Sequence, residues 1–266
     1  MRVANYRIVA ELAGGQFEAE HVVLPRRAIL KTVPEALGFV KPLRVAVVRE
    51  ACILEALSHP GIPRLFETGL SDDGRPWFAF EDVDGTALSE LERSLGLAEL
   101  IALVRDLTDI LEHAHRRGIV HGGLHPDRII LTDRAFPVCI DDWSTARPHD
   151  AAAPVPSLPR LDARRYTAPE LATGTAIDDR ADIYSLGAIM RPLLPSGVPV
   201  ALFALIAQMT ADHPGDRPSA SEVRDALERI PVTMLRPRWT PAFGVAARRD
   251  DVEELTQEDV ILVELS

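Results

Sequence analysis

Cysteine is scarce in this chain, and its scarcity excludes one way of holding a fold together. The two present, Cys52 and Cys139, stand far apart among apolar neighbours. That suits buried thiols in a reducing compartment and not a disulfide framework. Positive charge is also short: 29 Lys and Arg against 40 Asp and Glu leave a formal charge of −11 and a pI near 5.2. Such a balance argues against a broad nucleic-acid or anionic-membrane surface. No window approaches the uninterrupted apolar length of a membrane span. The opening Met1-Arg2-Val3-Ala4-Asn5-Tyr6 is too polar for a secretory signal, and no internal repeat stands out. What remains is 266 residues of ordinary globular composition, 47% hydrophobic and 26% charged, enough for one large domain or two small ones. The expectation is a cytoplasmic protein.

Taken in order, the chain begins with strand-like alternation over residues 6–12, 17–24 and 27–33, broken by a Gly14-Gly15 turn. Val47, Val48, Ala51, Leu54 and Leu57 then form an apolar stripe, which predicts a helix over residues 44–57 that ends before His59-Pro60. Two further strands are expected over 64–69 and 77–83, joined by the turn Ser71-Asp72-Asp73-Gly74. This is a small sheet with one main helix, residues 1–85. After Gly85 the period changes. Leu97, Leu100, Ile101, Val104, Leu107, Leu111 and Ala114 repeat at helical spacing until Gly118 stops the run. More helices are expected over 182–194, 201–209 and 219–230, the last carrying the capping-box pattern Ser219-x-x-Glu222. Residues 148–160 hold four prolines and no periodicity, and read as an exposed loop. Beyond Pro231 comes an extended linker, an acidic stretch over 250–259 and the apolar run Val260 to Leu265.

Within this frame lies a series of motifs in a fixed order. Lys31 closes Ala28-Ile29-Leu30-Lys31, and Glu50 sits on the first predicted helix. Phe80 precedes Glu81-Asp82-Val83-Asp84-Gly85, and His121-Gly122-Gly123-Leu124-His125-Pro126-Asp127-Arg128 follows the long helix. Asp142-Trp143-Ser144, Ala168-Pro169-Glu170, Asp182-Ile183-Tyr184-Ser185-Leu186-Gly187 and Arg217-Pro218 complete the series. Each fragment alone is a bland turn or helix start; seven or more in register are not. Together they resemble a bacterial-type Ser/Thr protein kinase domain over residues 6–231. The resemblance implies an α+β, two-lobed fold: a small β-rich N-lobe (1–85), a larger, mainly helical C-lobe (86–231), and a separate tail (232–266).

It also implies which groups should do chemistry, and several are replaced. Phosphoryl transfer from ATP is mostly positioning and charge neutralisation. Gly123 stands where the catalytic base Asp is expected, His125 where the Lys is expected, and Arg128 where a metal-binding Asn is expected. Ala163 takes the place of the Thr that braces the base. In the glycine-rich turn only Gly15 falls on a required glycine, with Ala13 and Glu18 at the other two positions. Glu20 and Ile29 replace the smaller apolar residues expected over the adenine. Gly122 replaces the arginine that would receive a phosphorylated loop.

The resemblance therefore implies a degenerate kinase, a pseudokinase acting as a protein-binding, scaffold or regulatory module. No cofactor is expected, and Arg128 disfavours magnesium. Lys31, Glu50 and Asp142 survive as a residual nucleotide site or, in the plainer reading, as a Lys31–Glu50 tie between helix and sheet with Asp142 capping or pairing with Lys31. His121, Glu170, Asp182 and Arg217 are expected to be structural. Two alternatives stay open: an atypical Ser/Thr kinase recruiting Asp127 or Asp141, and a nucleotide sensor that binds weakly without transfer. The expected partners are proteins. In the tail, Thr256-Gln257-Glu258-Asp259 has the pThr-x-x-Asp form read by forkhead-associated domains. The apolar end 260–265 is suited to pairing with a sheet edge or docking.

Overall fold

An antiparallel sheet forms the smaller lobe, and its strands are those that the alternation predicts, trimmed by turn chemistry. The computed structural model describes residues 2–149, 165–172 and 178–230. Ala163, most of the proline-rich segment and the whole tail, with Thr256 and Asp259, lie outside these. The strands are β1 (Arg2–Val3), β2 (Tyr6–Glu11), β3 (Gln16–His21), β4 (Arg27–Thr32), β5 (Leu65–Leu70) and β6 (Pro76–Glu81), in the order β1-β2-β3-β4-β6-β5. The short β1 has no alternation to announce it; it pairs with β2 across a turn at Ala4, whose φ is 47°.

The period of two divides the sheet into two faces. One face packs Tyr6, Ala19, Leu30, Trp77 and Ala79 together. The other presents Ile29 opposite Phe80 and Lys31 opposite Phe78. Phe78 and Phe80 join the main core. β6 is buried on both faces because it lies inside the sheet and beneath α1 (Lys41–Ala56). That helix starts three residues before the expected position 44 because Pro42 fits a first turn, whose N–H groups have no intrahelical acceptor. It buries Val47, Glu50, Ala51, Ile53 and Leu54. Cys139 is buried as expected, but Cys52 is exposed: it stands on the outer side of α1, where its apolar sequence neighbours do not cover it.

The larger lobe is built round α2 (Leu97–His115), opened by Glu99 accepting the Gly96 N–H at 2.8 Å. Before it comes the strand β7 (Thr86–Ala87), which joins β9 (Ile129–Leu131) and β10 (Val138–Ile140) in one sheet, while β8 (Ile119–Val120) pairs with β11 (Arg147–Pro148) in another. The remaining helices are α3 (Pro169–Ala172), α4 (Arg180–Met190), α5 (Val200–Met209) and α6 (Ala220–Glu228). α2 packs against α4 and α6. α4 ends earlier than its periodicity suggests, passing into a tighter 3-10 turn at Arg191–Leu193 where Pro192 has no N–H to donate. The capping box of α6 forms as read: Ser219 accepts the Glu222 N–H at 3.2 Å and Glu222 accepts the Ser219 N–H at 2.7 Å.

Candidate functional site: the cleft between the lobes

The cleft is assembled from β4, α1, the loop after β8 and the segment after β10. Lys31, one of two lysines in the chain, reaches from β4 to Glu50 on α1, with Nζ 2.9 Å from Oε1 and 2.8 Å from Oε2. Both side chains are nearly covered, at 12% and 5% exposure. Burial pushes the Glu50 carboxyl up and the nearby Asp142 charge adds to this, while the Lys31 ammonium pulls it down. The pair therefore joins helix to sheet in a dry setting, where loss of either partner strands the other.

Asp142 faces this pair and has a second cation beside it. Arg128 lies with Nε 3.6 Å from Asp142 Oδ2 and Nη1 3.6 Å from Asp141 Oδ2. Burial alone would raise the Asp142 carboxyl; the Lys31 and Arg128 cations and the Ser144 N–H bond at 3.0 Å outweigh it and hold it down to about 2. Asp142 caps its turn by accepting the Ser144 N–H and forms an ion pair with Arg128, with the Lys31 cation close enough to lower its carboxyl. Arg128 is held from its backbone as well: its carbonyl accepts the Asp141 N–H at 3.0 Å.

The position of the expected base is filled. A Cβ built on Gly123 would lie 2.5 Å from Thr145 Oγ1 and 3.0 Å from its Cγ2. Thr145 Oγ1 in turn donates to the His121 carbonyl at 2.9 Å, fixing the methyl and hydroxyl in that space. His125 turns away from the cleft. It is 4% exposed, caps the 3-10 turn Pro126–Arg128 by accepting the Asp127 N–H at Nδ1, and meets the Tyr166 ring edge-on at 5.1 Å. Its imidazole serves the loop's shape.

The frame beneath is dense with hydrogen bonds. His121 Nε2 donates to the Asp142 carbonyl at 2.6 Å and Nδ1 accepts the Gly123 N–H at 3.3 Å, which together define the tautomer. Its ring lies edge-on to Trp143, 4.8 Å away, and Trp143 is fully buried with its indole N–H on the Ile140 carbonyl. Asp182, fully buried on α4, accepts the backbone N–H groups of His121 at 2.8 Å and Gly122 at 2.7 Å, and His115 Nε2 lies 2.9 Å away. Gly122 takes φ 69°, a left-handed conformation that a side chain would strain. Burial would raise Asp182; the His115 contact and the Gly122 N–H hold it below the usual carboxylate range. Further down, Arg217 meets Glu170 through two parallel bonds of 2.7 and 2.9 Å and also donates to the carbonyls of Ala211, Asp212 and Arg180.

The remaining space is small. A cavity of about 110 Å³ is bounded by Leu12, Gln16, Ile29, Phe80, Val83 and Arg128, well below the ~300 Å³ at which ligand pockets usually begin. The glycine turn lies between the lining residues Leu12 and Gln16. Gly15, at φ 78°, brings its backbone against the Thr32 carbonyl and the Pro34 ring, with no room for a Cβ. Glu20, expected against an adenine, is instead ion-paired with Arg7 at 2.5 Å and does not border the cavity. A divalent cation does not fit these residues, because Arg128 already occupies the mouth between Asp141 and Asp142. A nucleotide of ordinary size does not fit the cavity as it stands.

A small sheet lobe with a lysine–glutamate tie, set over a helical lobe with a His121 loop and a buried Glu170–Arg217 pair, defines the two-lobed protein-kinase-like class. The comparisons with known proteins agree. The protein kinase domain family matches residues 30–202, and the chain belongs to that family. It is 30% identical over 274 residues to the serine/threonine-protein kinase Pkn1 of Myxococcus xanthus, covering 98% of this chain and 39% of that protein. It is 31% identical over 207 residues to the serine/threonine-protein kinase PknJ of Mycobacterium tuberculosis, covering 74% of this chain and 35% of that protein. The chain thus spans well under half the length of these relatives. Among solved structures, the PknI kinase domain of Mycobacterium tuberculosis aligns with a TM-score of 0.64 at 26% identity, covering 86% of this chain and 97% of that one. No described helix is long and apolar enough to cross a membrane.

Sequence reasoning missed two features of the cleft. Neither Thr145 filling the space beside Gly123 nor Arg128 bridging Asp141 and Asp142 leaves a local pattern. Both come from segments that meet only after folding. The motif register placed Arg128 and Asp142 at one site, and a charge count over those positions would have suggested the pair.

Proposed function

We propose that this domain is a pseudokinase, a kinase-shaped module that binds a protein partner and does not transfer phosphate. One observation carries the reading: Arg128 neutralises Asp141 and Asp142 from within the chain, while Thr145 fills the space of the missing carboxylate. Phosphoryl transfer needs a metal ion, a base and a charge-balancing cation acting as a unit, and loss of members of such a unit is grossly non-additive. Here Gly123 brings no side chain, His125 points elsewhere, and Arg128 repels a divalent cation. The buried frame of His121, Asp182, Glu170 and Arg217 is retained, which supports a role that uses the shape of the domain.

A second reading rests on the intact Lys31–Glu50 pair and on relatives that are serine/threonine kinases: the cleft opens, binds ATP and transfers weakly, with Asp141 as the nearest carboxylate. Labelled ATP separates the two. With either magnesium or manganese, the proposal expects no incorporation above an Asp142→Ala control, on the protein itself or on a general substrate. Incorporation that vanishes in that variant sinks the proposal. Thermal shift with ATP and ADP, with and without metal, tests binding without transfer; a metal-dependent rise in melting temperature would favour a nucleotide sensor.

A further inference from the structure

A groove lies away from the cleft, on the outer side of α1. It has a volume of about 650 Å³, and its floor is made by Phe39, Val45, Val48 and Leu70. These four are 84, 53, 49 and 70% exposed, a cluster of apolar side chains rather than scattered single residues. Its rim is basic. Lys41, Arg44 and Arg49 line the same groove. Among the described residues none of the three forms a salt bridge. Arg44 is bonded only to the Gly74 carbonyl, and Arg49 spends one amino group on the Ser144 carbonyl at 3.3 Å. The Arg49 Nε is buried without an acceptor. A basic, apolar groove on a chain of net charge −11 calls for an acidic, apolar occupant.

The chain carries such a segment. After Arg249 there is no further Lys or Arg; Asp250, Asp251, Glu253, Glu254, Glu258 and Asp259 precede the run Val260-Ile261-Leu262-Val263. The reach is sufficient. The stretch from Ile230 to Asp250 spans up to roughly 66 Å if extended, against a diameter of about 45 Å for a compact body of this size.

The geometry points to docking of residues 250–265 in this groove, in cis. The aliphatic run lies on Phe39, Val45, Val48 and Leu70, and the carboxylates lie along Lys41, Arg44 and Arg49. This interaction is separate from the cleft and holds whether or not the cleft transfers phosphate. It also gives the acidic segment a neutralising surface on an otherwise acidic protein, so it weakens with salt.

Hydrogen exchange read by mass spectrometry on the full chain tests this. The amides of 255–265 should exchange about tenfold or more slower than an unstructured peptide, faster in high salt, with peptides over 41–49 protected in step. Val45→Asp with Val48→Asp should release the tail, and Ile261→Asp with Leu262→Asp should release the groove peptides while leaving the melting temperature of the domain in place. Lys41→Glu with Arg44→Glu should release the tail, and adding Glu258→Lys with Asp259→Lys should restore its protection. Tail amides exchanging at unstructured rates would overturn the proposal, as would protection that the groove variants leave untouched. Protection that disappears on dilution, with a dimer mass in light scattering, would assign the groove to a second copy and overturn docking in cis.

Discussion

Replacing Arg128 with asparagine removes the internal cation and returns an amide of the kind that coordinates metal. In the present cleft Arg128 stands 3.6 Å from both Asp141 and Asp142, and its side chain is 30% exposed. A divalent ion bound by those carboxylates would sit roughly 4 Å from the guanidinium. The repulsion at that distance is about 2 kcal/mol with the dielectric constant of water and about 8 kcal/mol at an effective value near 20. Arg128 is open enough to solvent that the lower figure governs. Arg128→Asn should therefore strengthen magnesium or manganese binding by about 2 kcal/mol, roughly 30-fold. Titration calorimetry with the metal alone, and again with the metal and ADP, measures this. Arg128→Lys is the control, since it keeps the positive charge while losing the fork of the guanidinium. It should gain far less than the Asn variant. Equal gains in the two variants would refute the electrostatic argument, and so would a wild-type protein that already binds the metal as tightly as Arg128→Asn.

Other outcomes follow from the same geometry. Gly123→Asp should lower stability by about 1–3 kcal/mol through overlap with Thr145, without producing phosphate transfer. Thr145→Ala in the same chain should recover part of that loss in a urea-denaturation cycle, and simple additivity of the two changes would disprove the steric account. Arg217→Ala should cost about 3–5 kcal/mol, because it leaves the Glu170 carboxylate and several carbonyls without their donor; Arg217→Lys should not restore the two parallel bonds. A shift in urea midpoint worth less than about 1 kcal/mol would contradict this. Asp142 is held down to about 2 and Asp182 below its ordinary range, so the stability each contributes is present above the unfolded carboxylate value and is lost as the pH falls through the folded one. Glu50 is raised and works in the opposite direction, its share fading as the pH rises through its folded value. Urea midpoints at descending pH should therefore fall more steeply for the wild type than for Asp142→Asn.

Much of the fold was legible because its signals are local. Period-two runs marked the main strands, the stripe from Leu97 to Ala114 marked α2, and Ser219-x-x-Glu222 marked the start of α6. Boundaries moved where proline acted, at Pro42 and Pro192, and β1 went unseen because two residues carry no period. Cys52 was misplaced for a related reason: apolar neighbours in a helix do not say which side of it faces solvent.

The order and spacing of Lys31, Glu50, His121, Asp142, Glu170, Asp182 and Arg217 defined the family by sequence alone, and placed Gly123, His125 and Arg128 within its loop. Each position has a fixed place in the chain, and identity at that place is all that such a reading needs. What those substitutions became was decided by the tertiary structure. Thr145 comes to fill the space beside Gly123 from 22 residues away, Arg128 finds Asp141 and Asp142 across a turn, and His125 swings onto Tyr166. These are contacts between distant segments, set by how helices and sheets pack, and no local period encodes them.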